Sequence, residues 1–434
     1  MSDRTTSFSL SATYFCNPLR RTWIRYEDIH LVSTDSGGAY RAANRINMAL
    51  KQNGVNSSIV VLEKKHMDSP VIDVLNNKIE LVLFKILRKI DSFRIKRMKL
   101  TSYIYISSLG VDLFRVREIK DADVINIHWV NDGMLSYNGL KKLCNSGKII
   151  VWTMHDMYAF TAGCYYDKSC GRYAQNCNNC PLVSKTRNGQ RYISEMYSKK
   201  KAAFEGHISF IGCSRWMTSC AERSQLTKHH ILKTIPNPIE TDIFLPIEKG
   251  KARTFFPEIP NDDKRIVLFG AMSSTSDPRK GYQYLIEALN CISNKDAYRL
   301  IVFGGPQNYM IPVDIECISV GPIFDDKILA ALYSLSDVFV APSVQENLSN
   351  AVMEALACGT PTVAFAIGGM ADMIEQKVTG YLAIPFDSKD LAYGIQLCSS
   401  NKKILSPSCR EKVCKEFSSE RIGRLYKEFY LQER

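Results

Sequence analysis

The chain has 434 residues, 45% of them apolar, and 56 Lys or Arg against 44 Asp or Glu give it a net charge of +12. That is enough apolar material for two buried cores, and the surplus positive charge points to an anionic partner: nucleic acid, nucleotide phosphates or a membrane surface. No apolar run reaches the roughly 18 residues of a membrane-spanning helix, and Ser, Thr and Asn interrupt the N-terminus where a signal peptide would be apolar, so a soluble, cytoplasmic chain is expected. Its 14 cysteines would form a disulfide framework in a short exported protein, but in this chain most are expected to be reduced thiols.

Residues 1–27 carry no clear periodicity and read as an extension. The first strand is Ile29 to Thr34, followed by Asp35-Ser36-Gly37-Gly38, a helix over Ala39 to Leu50 and a strand over Ser58 to Leu62, which together make a βαβ unit with glycines at its first turn. Further strands are expected over Asp123 to His128, Lys148 to Thr153 and Ile208 to Gly212, each followed by a loop and a helix. From Ile235 to about Asp263 the pattern gives way to turns and charged, Pro-containing sequence. A second alternating series follows, with strands over Arg265 to Phe269, Arg299 to Phe303, Cys317 to Val320, Asp337 to Ala341 and Thr362 to Ala366, and one or two helices from Cys409 to the end. The expected organisation is an extension (1–27), a Rossmann-like domain (28–235), a linker (236–263), a second Rossmann-like domain (264–408) and C-terminal helices (409–434) packing back on the first domain. Such α/β domains are doubly wound parallel sheets that bind ligands at their strand carboxyl ends, so two in tandem put a cleft between them.

The most informative stretch is Gln345 to Pro361, QENLSNAVMEALACGTP. Ser349 or Asn347 caps a helix that stops at Gly359, with Glu346 just before it and Glu354 two turns in. A helix start suits phosphate, and flanking carboxylates suit hydroxyls, so the pattern fits a nucleotide sugar. Pro342-Ser343-x-x-Glu346, Glu354, Ala355-x-Ala357-Cys358-Gly359-x-Pro361, Gly368-Gly369 and Thr379-Gly380 resemble the retaining family 4 glycosyltransferases, including bacterial exopolysaccharide (colanic-acid-type) and O-antigen enzymes. The hinge IPNPIETDIF and the opening SGGAYRAANRI extend the resemblance over residues 29 to 405.

The resemblance implies a GT-B fold of two facing Rossmann-like domains. It implies that Glu346 contacts hydroxyls of the transferred sugar, Glu354 the ribose, and Lys280 the diphosphate, with Asn347, Leu348, Ser349 and Asn350 lining the donor and Gly37 and Gly38 close to substrate. Lys280 would stabilise the charge left on the departing diphosphate, so no metal is expected in the reaction. Many family members carry an Arg after the glycine of the second domain's first strand. Here Ala271 and Met272 follow Gly270, and Arg279 is expected to supply that charge. His155, past a strand end, matches the family histidine that approaches the donor sugar, the other reading being a structural ring held by Asp156.

Cys164, Cys170, Cys177 and Cys180 lie within 17 residues, leaving open a structural Zn²⁺ site, packed thiols or a disulfide. Residues 84–100 hold seven Lys or Arg against one Asp, with apolar residues at helical spacing, as in a basic amphipathic helix on an anionic membrane. The implied function is transfer of a sugar from a UDP- or GDP-sugar to a hydroxyl of a lipid-linked glycan in surface polysaccharide or lipopolysaccharide synthesis. The alternatives are a GT-B sugar-nucleotide epimerase or phosphorylase, or a catalytically silent membrane or scaffold protein. Nucleic-acid binding would leave Lys280 and both glutamates unexplained and is not expected.

Overall fold

The computed structural model describes residues 26–66, 68–97, 104–105, 108–183, 187–270, 277–305 and 312–434. Residues 1–25 of the expected extension, Ala271 and Met272, and the end of the basic segment (98–100) lie outside the described residues.

The first sheet contains β1 (Glu27–Thr34), β2 (Asn56–Glu63), β3 (Ile72–Asp73), β4 (Val124–Ile127), β5 (Ile149–Met154), β6 (Ser209–Gly212) and β7 (Leu232–Thr234), in the spatial order β3-β2-β1-β4-β5-β6-β7. The second contains β8 (Arg265–Gly270), β9 (Tyr298–Phe303), β10 (Glu316–Gly321), β11 (Val338–Ala341), β12 (Thr362–Phe365) and β13 (Gly380–Ala383), in the order β10-β9-β8-β11-β12-β13. Every strand pair in both sheets is parallel. The central strands are short apolar runs such as RIVLFG and IIVWTM, buried because helices cover both faces. Strand order reverses between β1 and β4 in one sheet and between β8 and β11 in the other. Ligand crevices open at these switch points, so the loops after these four strands are where chemistry is expected.

Helix Lys402–Glu416 begins earlier than the expected terminal helices and packs on helix Asn350–Ala357 of the second domain. The last helix, Ser419–Gln432, crosses back to helix Gly37–Gln52 of the first. There Tyr426 and Tyr430 are buried with Ile46, Leu50 and Val124.

Candidate functional site

Three loops of the second domain converge on Glu346. After β8, Asp277 caps a single turn, Pro278–Lys280, by accepting from the Arg279 amide. Gly281 then turns with φ +68°, and a Cβ there would lie 1.8 Å from the Pro342 carbonyl oxygen, so only glycine lets this turn press against the loop after β11. The Val344 amide donates to the Arg279 carbonyl at 2.8 Å and joins the two loops. Lys280 Nζ consequently reaches Glu346 Oε2 at 2.7 Å. On the other side, Gly368 and Gly369 lie so close to the Glu346 and Asn347 carbonyls that a Cβ on either would overlap them. Helix Asn350–Ala357 then starts with the Ser349 hydroxyl accepting from the Val352 amide, a cap that contributes about 1 kcal/mol.

The first domain closes this group from the opposite side. Asn347 is buried, and its amide nitrogen donates to the Met154 and His155 carbonyls at the end of β5, 3.1 Å each. The Ser214 hydroxyl donates to Asn347 Oδ1 at 2.6 Å. One asparagine thus ties the residue next to Glu346 to the strand end that carries His155. Residues 263–401 match the family model Glycosyl transferases group 1. Lys280, Glu346 and Glu354 all fall within that group 1 segment. An uncharacterized glycosyltransferase of Methanocaldococcus jannaschii is 27% identical over 338 residues, 73% of this chain and 83% of the relative. The N-acetyl-alpha-D-glucosaminyl L-malate synthase of Bacillus anthracis is 28% identical over 163 residues, 35% of this chain and only 42% of that enzyme. Among solved structures, sucrose-phosphate synthase from Thermosynechococcus elongatus is similar with a TM-score of 0.64 and 20% identity, covering 93% of this chain and 98% of its own. The Anabaena protein HepE, in complex with UDP-glucose, is similar with a TM-score of 0.61 and 14% identity, covering 93% of this chain and 99% of its own. These likenesses establish the GT-B fold.

Within the group 1 segment, Glu354 is already engaged. Its Oε1 lies 2.9 Å from Arg45 Nη2 and 3.2 Å from Arg41 Nη2, and its Oε2 accepts from the Tyr333 hydroxyl at 3.2 Å. Both arginines come from helix Gly37–Gln52 of the first domain. Arg45, 1% exposed, also pairs with Glu240 in the hinge at 2.6 Å, and Arg41 with Asp326 at 2.6 Å. At the start of the same helix Gly37 and Gly38 are exposed, with open space where a Cβ would be, and Gly37 takes φ +86°.

The Arg279 guanidinium is clamped by both Asp277 oxygens, at 3.1 and 2.6 Å, and stacks on Tyr165 and Tyr166 of the first domain, 5.4 Å from each ring. Its charge is paired with Asp277, as that of Lys280 is with Glu346. The His155 ring is not held by Asp156, the other reading that the sequence left open. Asp156 accepts from the Tyr158 amide and caps the turn Met157–Phe160, because consecutive side chains leaving a strand point to opposite sides. Burial pushes the Asp156 carboxyl up to about 6.

The His155 ring instead meets His128, Nε2 to Nδ1 at 2.8 Å, and Cys213, Nδ1 to Sγ at 3.6 Å. His128 meets His30 at 2.7 Å, and His30 lies 2.9 Å from Asp28. Burial, with His30 nearby, holds His155 down to about 4, and burial drives His128 well below the ordinary histidine range. Both rings are therefore neutral at pH 7.

Cys164, Cys170, Cys177 and Cys180 line one small cavity with Ile104 and Tyr173, and all four are free thiols. Burial raises each of them, Cys177 to about 11. Among the described residues no three His, Cys, Asp or Glu side chains are grouped so as to hold a metal ion.

Sequence reasoning missed Arg41, Arg45, Ser214, the paired tyrosines 165 and 166, and the histidines at 30 and 128. The signal for the last two was present: Asp28-x-His30 and Asn126-x-His128 place polar groups on one face of otherwise apolar strands.

Proposed function

We propose that this chain is a retaining glycosyltransferase that moves a sugar from a nucleotide diphosphate sugar, UDP- or GDP-linked, to a hydroxyl of a lipid-linked glycan in surface polysaccharide or lipopolysaccharide synthesis. The observation that carries the reading is the Lys280 to Glu346 contact of 2.7 Å at the second sheet's switch point, facing the His155 strand end across Asn347. In this reading Lys280 meets negative charge on a departing diphosphate, and Glu346 accepts from sugar hydroxyls beside it. The group 1 match over 263–401 covers both groups, and HepE's complex with UDP-glucose supports a nucleotide-sugar donor.

The membrane part of the reading rests on helix Lys78–Arg97. Phe84 is buried against Gly133 and anchors the helix to the first domain. Ile79, Leu83, Ile86, Ile90 and Phe93 recur every three or four residues and are 49 to 70% exposed. Lys78, Lys85 and Lys89 border that stripe. An apolar ridge flanked by cations suits the boundary of an anionic bilayer, where the acceptor's lipid would be. No described helix is long and apolar enough to cross a membrane.

Thermal denaturation against UDP, GDP, ADP and their sugar conjugates tests the donor. A ligand that binds only the folded state adds about 2.7 kcal/mol at a hundredfold excess over its Kd. A shift with one nucleotide family, lost in Lys280→Ala, supports the proposal. No shift with any donor, together with no sugar transfer, would favour a silent scaffold.

A further inference from the structure

The loop from Cys164 to Cys180 contains one short turn, Arg172–Ala174, and no strand. Its four thiols nevertheless share a single small cavity, closed by Ile104, Tyr173 and Ile193. Backbone amides are directed at three of the four sulfurs: that of Arg172 at Cys170, that of Ala162 at Cys177, and those of Leu182 and Val183 at Cys180. An amide N–H favours a thiolate over a thiol, and a thiol that merely fills space needs no such donor. The backbone is also strained here. Of the seven non-glycine residues with positive φ among the described residues, four lie in this loop: Lys168, Ser169, Cys177 and Asn179. Such conformations persist where their surroundings over-determine them.

A second observation comes from outside the loop. Lys200 is fully buried, and its Nζ donates to two neutral carbonyls, those of Tyr158 at 2.5 Å and Thr161 at 2.8 Å. Burial works against its charge, and the groups that most favour that charge are the Cys164 and Cys177 sulfurs, ahead of Asp156. Arg172 stands in the same relation to Cys170 and Cys180. Four thiolates around one divalent ion leave two negative charges in excess, and Lys200 and Arg172 supply two positive ones. An all-sulfur donor set selects Zn²⁺ over Mg²⁺, Ca²⁺ or Mn²⁺.

We propose that Cys164, Cys170, Cys177 and Cys180 are the four ligands of a structural Zn²⁺ ion that fixes this loop and, through it, the two tyrosines that stack on Arg279. Tyr165 and Tyr166 follow Cys164 directly, and the Asn347 amide is directed at the Tyr166 hydroxyl, so the loop's shape sets a contact between the domains. No three of the sulfurs are yet grouped at ligand distance, so the loop closes as the ion binds. Cys170 and Cys180 are half-buried at the cavity rim and carried by turns, which leaves them free to move inward. Each thiol gives its proton to solvent as its sulfur takes the ion, and binding and local folding become one event. The site rests on this loop alone and not on the transferase reading.

The test is the metal content of the full chain, purified with reductant and without chelator. The expected result is one zinc per chain, and Co²⁺ in its place should give the intense thiolate-to-cobalt charge transfer of a four-sulfur tetrahedral site. Cys177→Ser and Cys180→Ser should lose the zinc, whereas Cys291→Ser and Cys414→Ser, exposed and elsewhere in the chain, should keep it. Stripping the ion with a chelator should raise hydrogen exchange over 164–183 several-fold and leave residues 380–432 unchanged. Sub-stoichiometric zinc with no cobalt spectrum in the folded protein would overturn the proposal, as would iron with sulfide, or a disulfide within the loop. These readings are made on the unsubstituted chain and decide the matter even if the serine variants do not fold. Zinc retained in folded Cys177→Ser and Cys180→Ser, or exchange indifferent to the chelator, would also overturn it. Zinc bound as expected in a protein that turns over no donor supports the site and counts against the transferase reading alone.

Discussion

Arg45 offers the sharpest test of how the two domains are held together. Its side chain is 1% exposed and stacks 5.5 Å from the Phe244 ring, and it faces Glu240 at 2.6 Å and Glu354 at 2.9 Å. Arg45→Met keeps much of the volume and removes the charge. Breaking a buried ion pair from one side costs about 3–5 kcal/mol, because the partner is left buried and uncompensated. Two features here set the loss at the lower end: Glu354 retains Arg41 and the Tyr333 hydroxyl, and the Glu240 side chain is 26% exposed and can turn to water. The expected loss is therefore about 3 kcal/mol. Unfolding 434 residues as one unit carries an entropy near 0.9 kcal/mol/K, so Tm should fall by only about 3 °C, and urea denaturation is the better assay. Because the pair joins helices of different domains, the transition should also lose cooperativity. Arg41→Ala, whose side chain is 35% exposed, should cost less than about 1 kcal/mol. An Arg45→Met loss no larger than that of Arg41→Ala would refute the reasoning.

Other outcomes follow from the same geometry. Lys280→Ala should lower sugar-transfer kcat by about 10²- to 10³-fold, measured by nucleoside diphosphate release, while leaving Tm within about 1 °C. Gly281→Ala should do comparable damage by a different route, since its Cβ meets the Pro342 carbonyl and displaces the turn that carries Lys280; a full-activity variant would exclude this. Ile86→Asp and Phe93→Asp should reduce co-sedimentation with anionic vesicles without lowering stability, since both side chains are exposed. Stability should rise with pH between about 4 and 6, followed by urea midpoints. His155 and His128 have lowered folded pKa values, so their contribution is present above the ordinary histidine value and lost as pH falls. Asp156, raised to about 6, acts oppositely, its contribution being lost as pH rises through that value. His230, also lowered by burial, acts with His128 and His155, so the histidines outweigh Asp156, and a flat or falling profile would contradict their burial.

Where burial alone determines structure, the sequence was readable. The apolar runs RIVLFG and IIVWTM could only be covered parallel strands, and Gly359 stops the helix that Ser349 starts. β3 and β7 were invisible because edge strands of two or three residues carry no periodicity. Lys280 and Glu346 stood out through their motif, and the glycines at 281, 368 and 369 explain why the two side chains meet. Glu354 shows the limit of such reading. Its partners Arg41 and Arg45 lie more than 300 positions away on an unremarkable helix face, and only the docking of two domains brings them together. The same holds for Tyr426 and Tyr430, whose hydroxyls reach Thr153 and Asn126 from the end of the chain.

That terminal helix gives the molecule a second passage between its halves. The backbone crosses once near Ile239 and again near Ser418, and the two crossings are laced together: the Ile239 amide donates to the Phe417 carbonyl at 2.8 Å, and Ile239 bridges Ser418 in parallel. A single tether would let one half swivel, slide and twist against the other. Two neighbouring pins leave one inexpensive coordinate, rotation about the line through them, as a door has only its angle. The gap between Lys280 and His155 is then governed by that angle alone. A ligand that drew the halves together would return Lys280 and Glu346 to the same register against the His155 strand end at every closure.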